Sequence, residues 1–164
     1  MALNGVFAPT RRRLQSLFAE VRRLYFNNVW KMDIGAGCRI SRSVKLDKTY
    51  PKGVHIGDST TIDFGACILT HDQCRSLVAD AWVGKECHIG ARSIIMPGVR
   101  IANNCVIAPA SVVMRDVPAN CFVAGCPARI VETEIETGPF GVIRRTSEAK
   151  FAATRSEPAE KAAW

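Results

Sequence analysis

Large aliphatic residues recur along the middle of this chain with a six-residue beat. Ile34, Ile40 and Leu46 open it, and Ile56, Ile62 and Ile68 continue it after a four-residue excess. After a three-residue excess Leu77, Val83, Ile89, Ile95, Ile101, Ile107 and Val113 carry it on. The position four residues after each of these is an independent test: Cys38, Val44, Tyr50, Thr60, Ala66, Asp72, Ala81, Cys87, Ser93, Val99, Cys105, Ser111 and Val117. Eleven of the thirteen are Ala, Cys, Ser, Thr or Val, where chance would supply about five. A period of six fits neither a helix face nor uninterrupted strand alternation. It fits short strands separated by corners, with one large side chain inward on each strand and a small one inward near the corner. Gly35, Gly57, Gly84 and Gly90 follow an aliphatic residue directly, where a backbone bend is expected. The pattern predicts an all-β solenoid, a parallel β-helix of hexapeptide repeats with three strands per coil and a little over four coils.

Both flanks break the beat. In residues 1–31, Leu14, Leu17, Phe18, Val21, Leu24 and Tyr25 share one helical face, while Arg12, Arg13, Glu20, Arg22 and Arg23 fall elsewhere. A basic amphipathic helix of this kind can lie on an anionic membrane surface. The favoured reading is a cap on the open end of the solenoid, which would otherwise expose apolar surface and unpaired strand edges. The repeat domain is expected over 32–131, followed by a C-terminal extension, 132–164. Its end, Thr146 to Trp164, is rich in Ala, Glu and Ser and reads as a flexible tail.

Charge narrows the function classes. The formal net charge is +7, with residues 1–31 at +5, 32–130 at +3 and 131–164 at −1. Only 7% of residues are aromatic, so the interleaving of basic and aromatic side chains expected of a nucleic-acid module is missing. A modest positive surplus over the repeats suits a small polyanionic ligand. No apolar run approaches the roughly 20 residues of a membrane span, and the start lacks the order of a signal peptide. The expected location is the cytoplasm, with reduced thiols: the seven cysteines show no paired CxxC spacing. Cys38, Cys87 and Cys105 hold the small inward position and read as core packing.

Several stretches resemble the hexapeptide-repeat acetyltransferases, in particular the small sugar and polysaccharide O-acetyltransferases. The resemblance covers about Asp33 to Val131. It rests on Ile68-Leu69-Thr70-His71-Asp72, on Ile89-Gly90-Ala91-Arg92-Ser93-Ile94-Ile95-Met96-Pro97-Gly98-Val99, on Ser111-Val112-Val113-Met114-Arg115-Asp116-Val117-Pro118, and on the closing Val123-Ala124-Gly125-Cys126-Pro127-Ala128-Arg129. It implies a left-handed helix, acetyl-CoA as co-substrate, no metal, and a homotrimer with the coenzyme in grooves between copies.

The resemblance also assigns roles. His71 matches the family's general base, and neutral imidazole suits removal of a hydroxyl proton near neutral pH. Taken alone, a loop histidine reads as polar surface; the break in the beat between Ile68 and Leu77 places it outside the packed core. Asp72 could orient the ring or simply serve as a turn acid. The backbone N–H of Ala91 matches an oxyanion donor. Pro109, Met114 and Arg115 match positions lining the coenzyme path, and Arg129 a basic residue near its phosphates. Ala108-Pro109-Ala110 and Met114 depart from the commoner Gly-Ala-Gly and Thr. Trp82 and His88 are alternatives for an aromatic packed against the coenzyme. Asp33 and Asp63 are the candidates for holding acceptor hydroxyls. Lys48 stands where serine acetyltransferases carry a catalytic histidine, which argues against serine. The expected activity is acetyl transfer to a hydroxyl of a sugar or polysaccharide precursor. The alternatives are a non-catalytic scaffold and a zinc hydratase, the latter disfavoured because His55, His71 and His88 lie 16 and 17 residues apart with no HxxxxH pair.

Overall fold

The computed structural model describes the backbone of residues 8–144 and side chains from Leu17 onward. Three parallel sheets form the faces of a prism. Face 1 stacks Asp33–Ile34, Val54–Ile56, Ala81–Val83 and Arg100–Ile101, with Val117 bridging to Ile101. Face 2 stacks Arg39–Ile40, Thr61–Ile62, His88–Ile89, Val106–Ile107 and Phe122–Gly125. Face 3 stacks Lys45–Leu46, Cys67–Ile68, Ile94–Ile95 and Val112–Val113. The register aligns Ile40 with Ile62, Ile62 with Ile89 and Ile89 with Ile107. Every inward aliphatic therefore sits over its equivalent in the next coil. The result is a left-handed parallel β-helix of four coils and two sides of a fifth.

The core follows the beat closely. Ile34, Leu46, Ile56, Ile62, Ile68, Val83, Ile89, Ile95, Ile101, Ile107 and Val113 are buried, and so is each small residue of the alternate position except Tyr50 and Asp72. Those two mark where the chain leaves the prism, after Leu46 and after Ile68. Leu77 departs from expectation. It pairs with Asp72 in a short antiparallel hairpin, His71–Asp72 against Leu77–Val78, and is exposed.

The bends also fall elsewhere than expected. At the first corner, between faces 1 and 2, the left-handed conformation is taken by Gly37, Ser59, Glu86, Asn104 and Asn120, each three residues after an inward aliphatic. The glycine directly after the aliphatic serves close approach instead. A Cβ on Gly57 would lie 2.6 Å from the Gly84 carbonyl carbon and from the Lys85 nitrogen of the next coil.

The amino-terminal helix, α1 (Ala8–Val29), caps the first coil. Phe26 and then Met32 close the core. Strand-edge carbonyls that would lack partners are met by side chains: Arg22 donates to Ile40 and Arg42, and Arg23 and Asn27 to Ile34. The cap is built from the polar side of the helix. The apolar face expected to cover the prism points away, with Leu17, Phe18, Val21, Leu24 and Tyr25 all exposed.

At the other end Ala128–Glu132 returns antiparallel along Phe122–Gly125. The chain then runs back up the first corner as a strap. Ile135, buried, donates from its N–H to Asn120, Thr137 to Glu86 through its hydroxyl, and Phe140 to Ser59. Arg39 lies 3.5 Å from the centroid of the Phe140 ring. The opening part of the extension is thus fixed to the prism, while the tail from Thr146 lies outside the described residues.

Candidate active site

The two breaks in the six-residue beat fall at the same place, the third corner between faces 3 and 1, on successive coils. Leu46 pairs with Ile68, so the residues that follow them, Asp47 and Leu69-Thr70-His71, are neighbours despite being more than twenty positions apart. Asp47 turns inward and its side chain is only 3% exposed. Its carboxylate accepts the N–H of Thr49 at 2.8 Å, of Thr70 at 2.9 Å and of His71 at 3.0 Å. It also meets Nδ1 of the His71 ring at 2.5 Å. Burial alone would raise the pKa of Asp47. The Thr70 and Thr49 amides and the His71 ring outweigh it and hold the carboxyl at about 2. The group is an anion throughout the neutral range.

A buried anion on Nδ1 fixes the imidazole in both orientation and tautomer. In the neutral ring the nitrogen facing this acceptor, Nδ1, carries the proton, which leaves the lone pair on Nε2. The ring is one-third exposed. Thr70 beneath it is fully buried and its hydroxyl donates to the Tyr50 carbonyl at 2.8 Å, which ties the two departing loops together. Asp72 does not orient the ring. Its carboxylate accepts the N–H of Cys74 and pairs with Arg75, as a turn acid.

The other expected site residues divide between the two edges of face 3. Met114 and Arg115 lie on His71's corner, two coils further along, and are exposed. Asp63, Ala91 and Pro109 lie on the second corner, between faces 2 and 3. Phe64, Ala91 and Pro109 occupy equivalent positions on three successive coils. Gly90 and Arg92 donate their amides to Ile107 and Phe64, whereas the Ala91 N–H has no acceptor among the described residues. Within one copy, His71 and Ala91 are separated by a face of the prism, up to about 20 Å for six extended residues. The outer side of that face carries Cys67, Ile94 and Val112, half-buried and apolar, with Lys45 at its start.

The three histidines are each held by their own carboxylates in separate places. His88, on face 2, reaches Asp63 at 2.9 Å, so of the two aromatic candidates it is the one beside the Ala91 edge. Trp82 belongs to face 1, where His55 stacks on it at 3.6 Å and 6° and lies 3.3 Å from Asp33 and 3.4 Å from Asp80. Asp33 is therefore engaged in that column and not placed on the edge that carries Ala91. Arg129 is exposed on the returning strand and donates to the carbonyl of Ala128. Sequence reasoning missed Asp47. The signal that would find it is the coincidence of both breaks at one corner, since an acid just after the first break must face a histidine just after the second.

The chain is similar to known proteins. Residues 80–115 match the family described as "Bacterial transferase hexapeptide (six repeats)". The chain is 29% identical over 121 residues to the "Putative acetyltransferase YvoF" of Bacillus subtilis, covering 73% of this chain and 70% of that one. It is 32% identical over 112 residues to the "Putative acetyltransferase SAR0816" of Staphylococcus aureus, covering 67% and 70%. The structure of a maltose O-acetyltransferase from Clostridium difficile superimposes with a TM-score of 0.56 at 22% identity, covering 76% of this chain and 84% of that one, and so shares its fold. With this repeat, this prism and relatives matched over most of their length, the chain belongs to the hexapeptide-repeat acetyltransferases.

Proposed function

We propose that this enzyme transfers the acetyl group of acetyl-CoA to a hydroxyl of a sugar or polysaccharide precursor, with His71 as general base. The observation that carries this reading is the buried Asp47 anion on Nδ1 of a partly exposed imidazole. Nε2 of His71 takes the acceptor's hydroxyl proton as its oxygen attacks the thioester carbonyl. The Ala91 N–H stabilises the negative charge that develops on the carbonyl oxygen. Asp47 stabilises the imidazolium formed, without itself taking the proton. The carbon–sulfur bond then breaks, His71 returns the proton to the departing sulfur, and the products are an acetyl ester and free coenzyme thiol.

Because His71 and Ala91 stand on opposite edges of face 3, the proposal needs two copies per site. A trimer with its three apolar face-3 surfaces turned to a common axis brings His71 of one copy toward the Ala91 edge of the next, giving three shared grooves. Pro109, Met114, Arg115 and Arg129 then border the coenzyme path, with the guanidinium groups offered to its phosphates. Asp63, one coil before Ala91 and braced by His88, takes the acceptor hydroxyls in preference to Asp33.

Thiol release from acetyl-CoA, measured over a panel of sugars and nucleotide sugars, tests the proposal. Acceptor-dependent release is expected, and His71→Ala lowers it by about 10²–10⁴-fold. An unchanged rate in that variant removes His71 from the mechanism. Mixing His71→Ala with Ala91→Pro subunits tests the shared site: each alone is nearly inactive, and hybrid assemblies recover activity. Absence of recovery in confirmed hybrids would place both groups in one copy's site.

A further inference from the structure

The helix that caps the prism is oriented opposite to what burial alone would dictate. Its polar side, through Arg22, Arg23 and Asn27, closes the first coil. Its apolar side, Leu17, Phe18, Val21, Leu24, Tyr25 and Val29, faces away with each residue 44–65% exposed. Six large apolar side chains in three and a half turns form a continuous stripe on the end of the molecule, well beyond the scattered exposure normal for a surface.

Charge says what can cover it. Residues 1–52, the helix and first coil, carry eleven Lys and Arg against three acids, a net +8. Everything after them nets −1. The positive surplus is thus carried by the part of the sequence that forms the helix and first coil. Lys31, Arg39, Arg42, Lys45, Lys48 and Lys52 are all exposed there, and the one carboxylate of this region that is buried, Asp47, is already committed to His71. A second copy laid on the stripe would bring two such clusters together, which repels. An apolar stripe on the end of the molecule whose first coil exposes these basic side chains complements an anionic lipid surface instead, with the side chains of the stripe at the acyl boundary and the positive charge of the first coil behind it attracting the headgroups.

We infer that the capped end docks on an anionic phospholipid bilayer through the Leu17–Val29 stripe. No helix of the described residues is long and apolar enough to cross a membrane, so the contact is interfacial. Docking puts the His71 corner, on the second coil, within about 20 Å of the headgroups, the sum of a helix diameter and two strand spacings. Copies assembled about an axis parallel to the prism present their stripes on the same side, so several weak contacts act together.

The test is co-sedimentation of the full-length protein with vesicles of phosphatidylcholine alone and of phosphatidylcholine mixed with phosphatidylglycerol. Binding to the mixed vesicles is expected, weakening as salt is raised. The double variant Phe18→Glu, Val21→Glu is expected to reduce it by at least about tenfold, while Phe18→Trp retains it, with helical content unchanged in both. Equal binding to both vesicle types, binding untouched by the glutamates, or no binding overturns the inference. So does lipid-free pairing of assemblies that the glutamates abolish, which would assign the stripe to a second copy. The readout is lipid association rather than turnover, so it stands or falls independently of the acetyl-transfer proposal.

Discussion

The first and third corners of the prism obey the same repeat and put it to opposite uses. At the first, no residue is inserted from coil to coil. Cys38, Thr60, Cys87, Cys105 and Cys121 stack inside it, all buried. Four of them donate a thiol or hydroxyl hydrogen to the carbonyl of the next coil, at Gly57, Gly84, Ala102 and Pro118, over 2.8–3.2 Å. The strap from Ile135 to Phe140 closes the outside. At the third corner the chain leaves the prism on two successive coils, and the small inward position is lost at Tyr50 and Asp72. What replaces it is a buried anion and an imidazole. The difference teaches that regular stacking lets the inward polar groups of the first corner bond to the next coil, whereas interruption leaves donors and acceptors to be met by one another, which holds an imidazole in place without burying it.

That contrast is broken most sharply at His71. Replacing it with alanine is expected to lower acetyl transfer by about 10²–10⁴-fold and to cost about 1–3 kcal/mol of stability, because the buried Asp47 carboxylate loses the ring as a partner. Steady-state rates and urea unfolding measured on the same preparation check both halves. A smaller loss follows Asp47→Asn, about 10²-fold in kcat with KM for the coenzyme little changed, since an amide no longer enforces the tautomer.

Asp47 also links the site to acid stability. Its folded pKa, about 2, lies below the usual 3.8, so the native state binds this proton less readily than the unfolded chain. The stabilisation, about 2 kcal/mol, is fully present above about pH 4 and is lost as the pH falls toward 2. Asp47→Asn removes it at every pH. The stability gap between the two proteins should therefore narrow over that window, as read by denaturant midpoints at pH 6, 4 and about 2.5.

Gly57→Ala tests the opposite corner. The added methyl meets backbone of the next coil at 2.6 Å, with no flexible side chain to give way. The expected loss is about 1–3 kcal/mol with the rate per folded molecule unchanged. A drop in rate at full occupancy of the native state would mean that the two corners are coupled.

Much of this was legible beforehand. The aliphatic beat located the inward residues and the alternate small position identified the corners, because each side of the prism repeats one packing problem. The break in the beat between Ile68 and Leu77 pointed to the departure that carries His71. Asp47 was hidden because its partner is set by the register across a whole coil, and neighbouring positions drew attention to Asp72 instead. The helix was legible as amphipathic but not in its orientation: periodicity tells which residues share a face, whereas the unpaired carbonyls of Ile34, Ile40 and Arg42 decide which face the prism needs. The strap, from Glu132 onward, has no periodicity and only its contacts reveal it.

The mildest probe is thiol chemistry, which reads the difference between the corners without a substitution. Cys74, in the hairpin beside His71, and Cys126 are exposed, whereas Cys38, Cys87, Cys105 and Cys121 are buried in the first corner. The Cys105 sulfur beside it and burial push the Cys87 thiol up, so it stays protonated and poorly nucleophilic at neutral pH. A water-soluble disulfide reagent should therefore label Cys74 and Cys126 quickly in the native protein, and the column only at the rate of global unfolding. Cys67 gives an intermediate case: it is half-buried on the outer side of face 3, so assembly across that face should slow its labelling as protein concentration rises. Rapid reaction of Cys105 or Cys121 in the folded enzyme would show that the strap opens, and that the first corner is less sealed than the third is exposed.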